Sequence, residues 1–128
     1  MAPAKRAEEF LPLTPLSAGI LLAVAGGARH GYAIIKEIER QSEGRQVPGA
    51  GSLYAALRRL TEDALLAESE EAAGEGGDAR RQYYALTELG REVARLEMLR
   101  LAELISTAAA RDLVPELRVA WSGRRARG

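Results

Sequence analysis

The stretch GAGSLYAALRRL at residues 49–60 decides how this chain folds. It starts as a glycine-rich turn and continues as an amphipathic helix. One face of that helix consists of leucines at helical spacing: Leu53, Leu57 and Leu60. At about 100° per residue, the opposite face carries Tyr54, Ala55 and Arg58, with Ser52 and Arg59 on its flank. A short helix that buries leucines and exposes tyrosine, serine and arginine behind a tight turn suits insertion into a DNA groove.

The composition limits the chemistry that the chain can perform. Cysteine is absent and His30 is the single histidine, so disulfides, thiolate catalysis and multi-histidine metal sites are excluded. The aromatic residues, four Tyr, one Phe and one Trp, are too few to build the core, which must come from Leu, Ile, Val and Ala. Such a core favours helices. With no paired carboxylates and no nucleophile-base pair in view, we expect no enzyme activity, no metal and no cofactor.

The charges balance overall but are unevenly distributed. A formal net charge of zero argues against a protein that binds polyanions through its overall charge alone. Residues 67–82 are nevertheless rich in glutamate and residues 114–128 in arginine, so one face can still be basic. Residues 1–13 contain charges and prolines instead of a signal peptide, and the longest apolar run, residues 20–25, is too short to cross a bilayer. We expect a cytoplasmic protein with no membrane partner.

The pattern along the chain predicts a mainly α fold with a small β-hairpin. The predicted elements are, in order, a flexible lead-in (residues 1–13), three helices (15–25, 31–43 and 50–63), two strands (65–70 and 80–86) and a fourth helix (88–110). Thr14 before Pro15, and Thr87 before the last helix, are good N-caps. Residues 74–78 are glycine-rich and form the tip of the hairpin.

The fourth helix carries a wide apolar surface that a small domain cannot cover alone. Its residues are Leu89, Val93, Leu96, Leu99, Leu101, Leu104, Ile105 and Ala108. A second copy of the chain is the natural way to bury them. The element order is that of a winged helix-turn-helix followed by a long C-terminal dimerisation helix. The expected organisation is a lead-in (1–13), a DNA-binding domain (14–86), a dimerisation helix (87–113) and an Arg-rich disordered tail (114–128).

Several short motifs, in order along the chain, are more specific than the pattern of apolar and polar residues. They are LTPL at residues 13–16, HGY at 30–32, GSLY at 51–54, RR at 80–81 and YYALT at 83–87. With these motifs the chain resembles the PadR family of bacterial transcriptional regulators over about residues 13–104. The resemblance implies a winged helix-turn-helix, a C-terminal dimerisation helix and a repressor that acts on a promoter. It also implies release from DNA by a small hydrophobic or aromatic ligand.

Three positions depart from what the family commonly has. Ser52 stands where threonine is usual, which keeps the hydroxyl. Ala64 stands where glycine is usual, and a left-handed conformation there costs alanine roughly 1 kcal/mol. Some drug-binding relatives carry a tryptophan in the dimerisation helix that lines a ligand pore, whereas Trp121 lies beyond that helix.

The predicted DNA contacts come from the second helix, the third helix and the second strand of the wing. They are Tyr32, Lys36, Ser52, Tyr54, Arg58, Arg59, Arg80 and Arg81. Most of these residues also have a structural interpretation. Tyr54 can pack on the wing, Ser52 can cap its helix, and Arg59 can pair with Glu62 or Asp63.

The remaining candidates carry similar alternatives. Tyr32 can pack at the edge of the core, and His30 is better explained as a helix-start residue than as a catalyst. Arg80 and Arg81 can pair with the glutamates of the wing, Glu68, Glu70 and Glu71. Because an acidic wing is repelled by DNA, we expect the first strand to point its acids away and the arginines to face the duplex.

The interpretation that unites these features is a homodimeric winged-helix repressor on a pseudo-palindromic operator in double-stranded DNA. A second interpretation is a winged-helix module that binds protein and has no specific DNA target. The zero net charge and the acidic wing motivate it. An enzyme is a distant third.

Overall fold

The computed structural model describes residues 5–69 and 82–117 of the 128-residue chain. Four α-helices run over α1 (Pro15–Val24), α2 (Gly31–Gln41), α3 (Ala50–Glu62) and α4 (Glu88–Ala110). Three strands are β1 (Arg29–His30), β2 (Leu66–Ser69) and β3 (Tyr83–Leu86). The described residues therefore give three helices, a pair of wing strands and a long helix, the order predicted from the sequence. The predicted hairpin tip and most of the predicted tail lie outside the described residues.

Polar side chains at the first turns explain where α1 and α2 begin. The Thr14 hydroxyl accepts a hydrogen bond from the backbone N–H of Ser17 at 3.1 Å, with proline in the first helical position. At the start of α2, Nδ1 of His30 accepts one from the N–H of Ala33 at 3.1 Å. Thr14 is thus the predicted N-cap, and His30 is a helix-start residue as expected.

The sheet has three antiparallel strands in the order β1-β3-β2. Glu68 of β2 lies opposite Tyr84 of β3, and β1 pairs with the other edge of β3, with His30 opposite Tyr83. The sequence predicted the β2-β3 pair but missed β1. A strand of two residues is too short to show a period-two pattern.

The core is built from aliphatic side chains of all four helices and the wing. Its fully buried members include Ile20, Leu21, Ile34, Leu53, Leu57, Leu65, Leu66 and Val93. All three leucines predicted to line the inner face of α3 are buried, and Ala56 joins them. Each large aliphatic side chain buried in this way stabilises the fold by about 1.5–3 kcal/mol.

Residues 7–13 differ from the flexible lead-in expected there. Ala7–Phe10 form a short 3-10 helix with Ala7 buried, and the Glu9 carboxylate accepts a hydrogen bond from the N–H of Arg6 at 2.6 Å. Phe10, Leu11 and Leu13 pack against the core. This segment has only seven residues and two prolines in or beside it, so it shows no helical periodicity. Only its apolar side chains could have indicated that it is buried.

Helix α3 ends in a Schellman motif whose left-handed residue is Ala64. The backbone φ of Ala64 is 64°. Its N–H donates to the carbonyl of Thr61 at 3.0 Å, and that of Leu65 donates to the carbonyl of Leu60 at 2.9 Å. The left-handed conformation anticipated at this position is therefore adopted, without the glycine that usually adopts it.

A tight junction joins the end of α3 to the start of α4. The Thr87 hydroxyl accepts a hydrogen bond from the N–H of Gly90 at 2.9 Å, which caps α4 as predicted. The same hydroxyl lies 2.6 Å from the carbonyl oxygen of Ala64 and 3.1 Å from that of Leu65, and can donate to either. A Cβ on Gly90 would lie 2.0 Å from the Leu65 oxygen, so only glycine fits there.

The chain divides into two compact units, Met1–Glu97 and Met98–Gly128. In the first unit, Val93 is wholly buried and belongs to the chain's own core, which corrects its prediction as a dimer contact. Leu89 and Leu96 also pack partly against this core. Sequence periodicity cannot separate a face buried within the chain from one buried by a partner.

In the second unit, large apolar side chains of α4 are exposed. Leu104 is 57% exposed and Ile105 37%, while Leu101 and Ala108 are half-buried. At about 100° per residue these four lie on one side of the helix. Leu99, 51% exposed, projects from another side. Among the described helices, none is both long and apolar enough to cross a bilayer.

Candidate nucleic-acid interface

The outer face of α3 is exposed as the sequence predicted. Ser52, Tyr54, Ala55, Arg58 and Arg59 are all exposed, while the leucines of the same helix are buried. Gly49 is the N-cap residue and makes no side-chain cap, so the predicted capping role of Ser52 is wrong. Its hydroxyl instead lies in the first turn, where the backbone N–H groups of a helix favour an anion.

Tyr54 combines exposure with a defined packing partner. Its side chain is 46% exposed. Its ring nevertheless reaches back to the first residue of α2, because a Cβ built on Gly31 would lie 2.4 Å from the Tyr54 hydroxyl oxygen. The hydroxyl therefore lies against the start of α2, next in sequence to Tyr32, another predicted DNA contact.

Tyr84 of the wing shows how charges gather beside α3. Burial raises the pKa of Tyr84, and the charges of Glu68 and Tyr54 raise it further, whereas Arg58 lowers it. Glu68 lies opposite Tyr84 in the antiparallel register, so the two side chains share one face of the sheet. Glu68 and Arg58 thus both lie close enough to Tyr84 to act on its pKa. The expectation that the first wing strand points its acids away from DNA stays a prediction.

On α2, Tyr32 and Lys36 form a pair on the surface. Tyr32 is 57% exposed, so it is not a core-edge residue, and the Lys36 Nζ lies 5.4 Å from the centroid of its ring. The ring of His30 stacks on Tyr32 with centroids 6.4 Å apart. Lys36 also forms an ion pair of 3.8 Å with Glu39. An exposed ammonium held against a tyrosine ring is a plausible phosphate contact.

A polar groove of about 410 Å³ adjoins this pair. It is lined by Arg29, His30, Tyr32, Ala33, Lys36, Glu37 and Arg40. Sequence reasoning missed Arg29 and Arg40 as neighbours of Lys36. The i, i+4 spacing of Lys36 and Arg40 on α2 was the available indication.

Glu37 balances the arginines of this groove. Its side chain is only 13% exposed and lies 3.8 Å from Arg29 Nη2, and it accepts hydrogen bonds from both ends of the Arg40 guanidinium. Arg29 also donates from Nε to the carbonyl of Ala23 at 2.7 Å. Hydrogen bonding from Arg40 lowers the pKa of Glu37, and the positive charges of Arg40 and Arg29 lower it further against the opposing effect of burial.

The structure says less about the remaining predicted DNA contacts, Arg59, Arg80 and Arg81. Arg59 is exposed and makes no ion pair with Glu62 or Asp63, so the pairing considered for it is absent. Arg80 and Arg81 lie outside the described residues. Among the residues that are described, no cluster of acids and histidine could hold a metal ion.

The model of the transcriptional regulator PadR-like family matches residues 20–96, more than half of the chain. The chain belongs to this family. The match spans α1 to the middle of α4 and so includes both helices of the candidate interface. The family assignment and the winged-helix fold predicted from the sequence are thereby confirmed.

Similar proteins agree with this placement. The chain is 39% identical over 101 residues to an uncharacterized 37.1 kDa protein in a transposon of Streptomyces fradiae, covering 77% of this chain but only 27% of that protein. A transcriptional regulator from Clostridium thermocellum is 25% identical with a TM-score of 0.62, over 75% of this chain and 87% of that one. Bordetella bronchiseptica BpsR, whose DNA binding is regulated by 6-hydroxynicotinic acid, is 25% identical with a TM-score of 0.59, over 94% and 86%.

Proposed function

We propose that this PadR-like regulator is a homodimeric repressor that binds a pseudo-palindromic operator through α3. The observation that carries the proposal is the exposed outer face of α3 with Tyr54 and Arg58, whose Tyr54 ring contacts Gly31 at the start of α2. In a helix-turn-helix the second helix enters the major groove while the first crosses the backbone. The exposed side chains on α3 and α2 suit those two roles.

Within this proposal the contacts divide by chemistry. Arg58 and Arg59 reach base edges or phosphates from α3, and Ser52 lies where the open first turn of that helix meets a phosphate. Tyr32 and Lys36 hold the backbone from α2. Arg80 and Arg81 remain proposed phosphate contacts of the wing, on residues that the structure does not describe.

The exposed apolar side of α4 supports the dimer. Leu104 and Ile105 are large, exposed and on one side of the helix, with Leu101 and Ala108 beside them. Apolar side chains gathered in this way mark an interaction surface. A two-fold pair of chains would present two copies of α3 to half-sites about one helical turn, or a multiple of it, apart.

Release by a small aromatic or hydrophobic ligand is a further part of the proposal. It rests on the family and on the similarity to BpsR, whose DNA binding responds to 6-hydroxynicotinic acid. Titrating phenolic acids, nicotinic acids and hydrophobic cations into a preformed operator complex tests it. Displacement at micromolar concentrations supports an inducer, and a complex insensitive to all three classes counts against one.

The decisive experiment measures binding to the DNA upstream of the protein's own gene. Fluorescence anisotropy is recorded for that fragment and for a shuffled fragment of equal length, at several salt concentrations. We expect tighter binding to the natural fragment and a linear fall of log K with log salt, because phosphate contacts release counterions. Equal and salt-independent binding of both fragments would refute the proposal.

That second outcome would favour a winged-helix module that binds protein. One observation favours this alternative: Glu68 of the acidic wing lies opposite Tyr84, whose pKa Arg58 of α3 also affects, so an acidic side chain lies in the same region as the proposed contacts. The zero net charge of the chain points the same way. Binding DNA through two copies of a modest surface remains consistent with both facts, since dimerisation doubles the number of contacts.

A further inference from the structure

The backbone conformation of Gly31 does not explain why this residue is a glycine. It is the first residue of α2, and its φ lies outside the left-handed region that favours glycine. It is buried, and the three heavy atoms nearest to a Cβ built on it all belong to Tyr54. A Cβ at this position would lie 2.4 Å from the Tyr54 hydroxyl oxygen, 2.7 Å from Cζ and 2.9 Å from Cε1. Because glycine has no Cβ, this position leaves room for the ring of Tyr54.

Tyr54 belongs to another helix, 23 positions further along the sequence. The atoms that meet Gly31 are the outer end of its ring, while nearly half of the side chain stays exposed. The ring thus rests on the backbone at the start of α2 instead of sampling the rotamers open to a surface tyrosine. Restricting a side chain in its bound orientation removes part of the entropy lost on binding.

We propose that Gly31 is a positioning residue that fixes the orientation of Tyr54 for DNA binding. The proposal rests on the proposed function and adds a residue that does not itself contact DNA. Replacing Gly31 by alanine expels the ring from its place, because a partly exposed side chain moves more easily than two packed helices. The fold then survives, and the Tyr54 hydroxyl is no longer held at the start of α2.

A double-mutant cycle tests the proposal with G31A, Y54A and the combined variant. Operator affinity is measured by anisotropy, and folding by urea denaturation. We expect G31A and Y54A each to weaken operator binding about 10-fold, within the range for losing one DNA contact, and the double variant to bind no worse than either. Independent, additive losses, or wild-type affinity of G31A beside a weakened Y54A, would overturn the proposal.

The matched control is G19A, since a Cβ on Gly19 lies 3.4 Å from the nearest Ile38 side-chain atom and is accommodated. It should keep operator affinity and fold at least as stably as the wild type, because alanine is the better helix former inside α1. If G31A fails to fold, the double variant decides: recovery of folding identifies Tyr54 as the group that the methyl displaces, and continued unfolding refutes that.

A measurement without DNA separates this inference from the proposed function. Nuclear Overhauser cross-peaks between the Tyr54 ring protons and the Gly31 α protons are expected in the wild-type protein and should be lost in G31A. Their absence in the wild type would overturn the packing itself. If they are present while no variant, nor the wild type, distinguishes operator from shuffled DNA, the proposed function fails and the packing stands.

Discussion

Arg58 lies on the exposed face of α3, four residues after Tyr54, and no ion pair with the described residues restrains it. We predict that R58A weakens operator binding by about 1–3 kcal/mol, the range for an arginine that contacts a base or phosphate. The control is R95A, which removes the same charge from α4, where Arg95 pairs with Glu92 at 2.7 Å. Titration by anisotropy compares the two. Equal affinity of R58A and R95A would remove Arg58 from the interface.

Ala64 carries the second prediction at this scale. Its left-handed conformation costs an alanine about 1–2 kcal/mol. Glycine avoids this cost, but it also makes the unfolded chain more flexible, which offsets part of the gain. We therefore expect A64G to raise the free energy of unfolding by about 0.5–1 kcal/mol. Urea denaturation measures it. A55G, inside α3, should lower the same quantity by about 1 kcal/mol. A destabilised A64G would show that the turn is not strained.

Single positions differ in how far the sequence could predict them. Ala64 could be anticipated, because the family that the chain resembles commonly has glycine there, and glycine after a helix indicates a left-handed residue. The exposure of Tyr54 and Arg58 followed from helical periodicity alone. The relation between Tyr54 and Gly31 could not be predicted, since it depends on how α3 crosses α2, and no local pattern records that crossing.

At the scale of elements, Glu37 connects α2 to the arginines on either side of it. Its pKa is lowered from the usual 4.5 by hydrogen bonding from Arg40 first and by the charges of Arg40 and Arg29. A carboxylate with a depressed folded-state pKa stabilises the fold above its unfolded pKa, and that contribution is lost as the pH falls through the folded value.

We predict that E37Q unfolds at a lower urea concentration than the wild type at pH 7. The difference should shrink below about pH 4.5 and vanish in stronger acid, where the wild-type carboxyl is also neutral. E103Q, which neutralises an exposed glutamate of α4, is the control and should follow the wild type throughout. A difference between E37Q and the wild type that is constant with pH would show that the charge of Glu37 is not responsible.

Elements with several turns or a capping residue were predictable, and short ones were not. Thr14, His30 and Thr87 gave the starts of three helices, because each side chain accepts a backbone hydrogen bond that its helix needs. The 3-10 helix Ala7–Phe10 and the strand β1 span too few residues to show a period. They form because the core and the edge of β3 are available to them, which is a tertiary cause.

At the scale of the molecule, α4 carries the prediction of a dimer. Leu104 is among the most exposed large apolar residues of the described chain. We expect L104E to turn the dimer into a monomer in light-scattering measurements and to weaken operator binding by roughly 100-fold, because the gain from linking two half-sites is lost. S106E places the same charge on another side of α4 and should stay dimeric. A dimeric L104E would exclude this side of the helix as the interface.

The sequence predicted the order of the elements and their amphipathic faces. It did not predict which apolar residues are buried in the chain's own core and which stay exposed. Val93 and Leu104 have the same pattern in the sequence, yet one is fully buried in the chain's own core and the other is exposed. The position of Glu68 opposite Tyr84 likewise depends on the register of β2 on β3. Both facts arise from packing between segments distant in sequence.

The junction at Thr87 has a consequence for signalling. The Thr87 hydroxyl lies within 3.1 Å of the carbonyl oxygens at the end of α3, and Gly90 packs against the same backbone with no room for a methyl group. The backbone that directly follows α3 and the first turn of α4 are therefore held against each other by hydrogen bonds and close packing. If α3 reads DNA as proposed, we expect a ligand or partner that tilts the start of α4 to shift α3 as well.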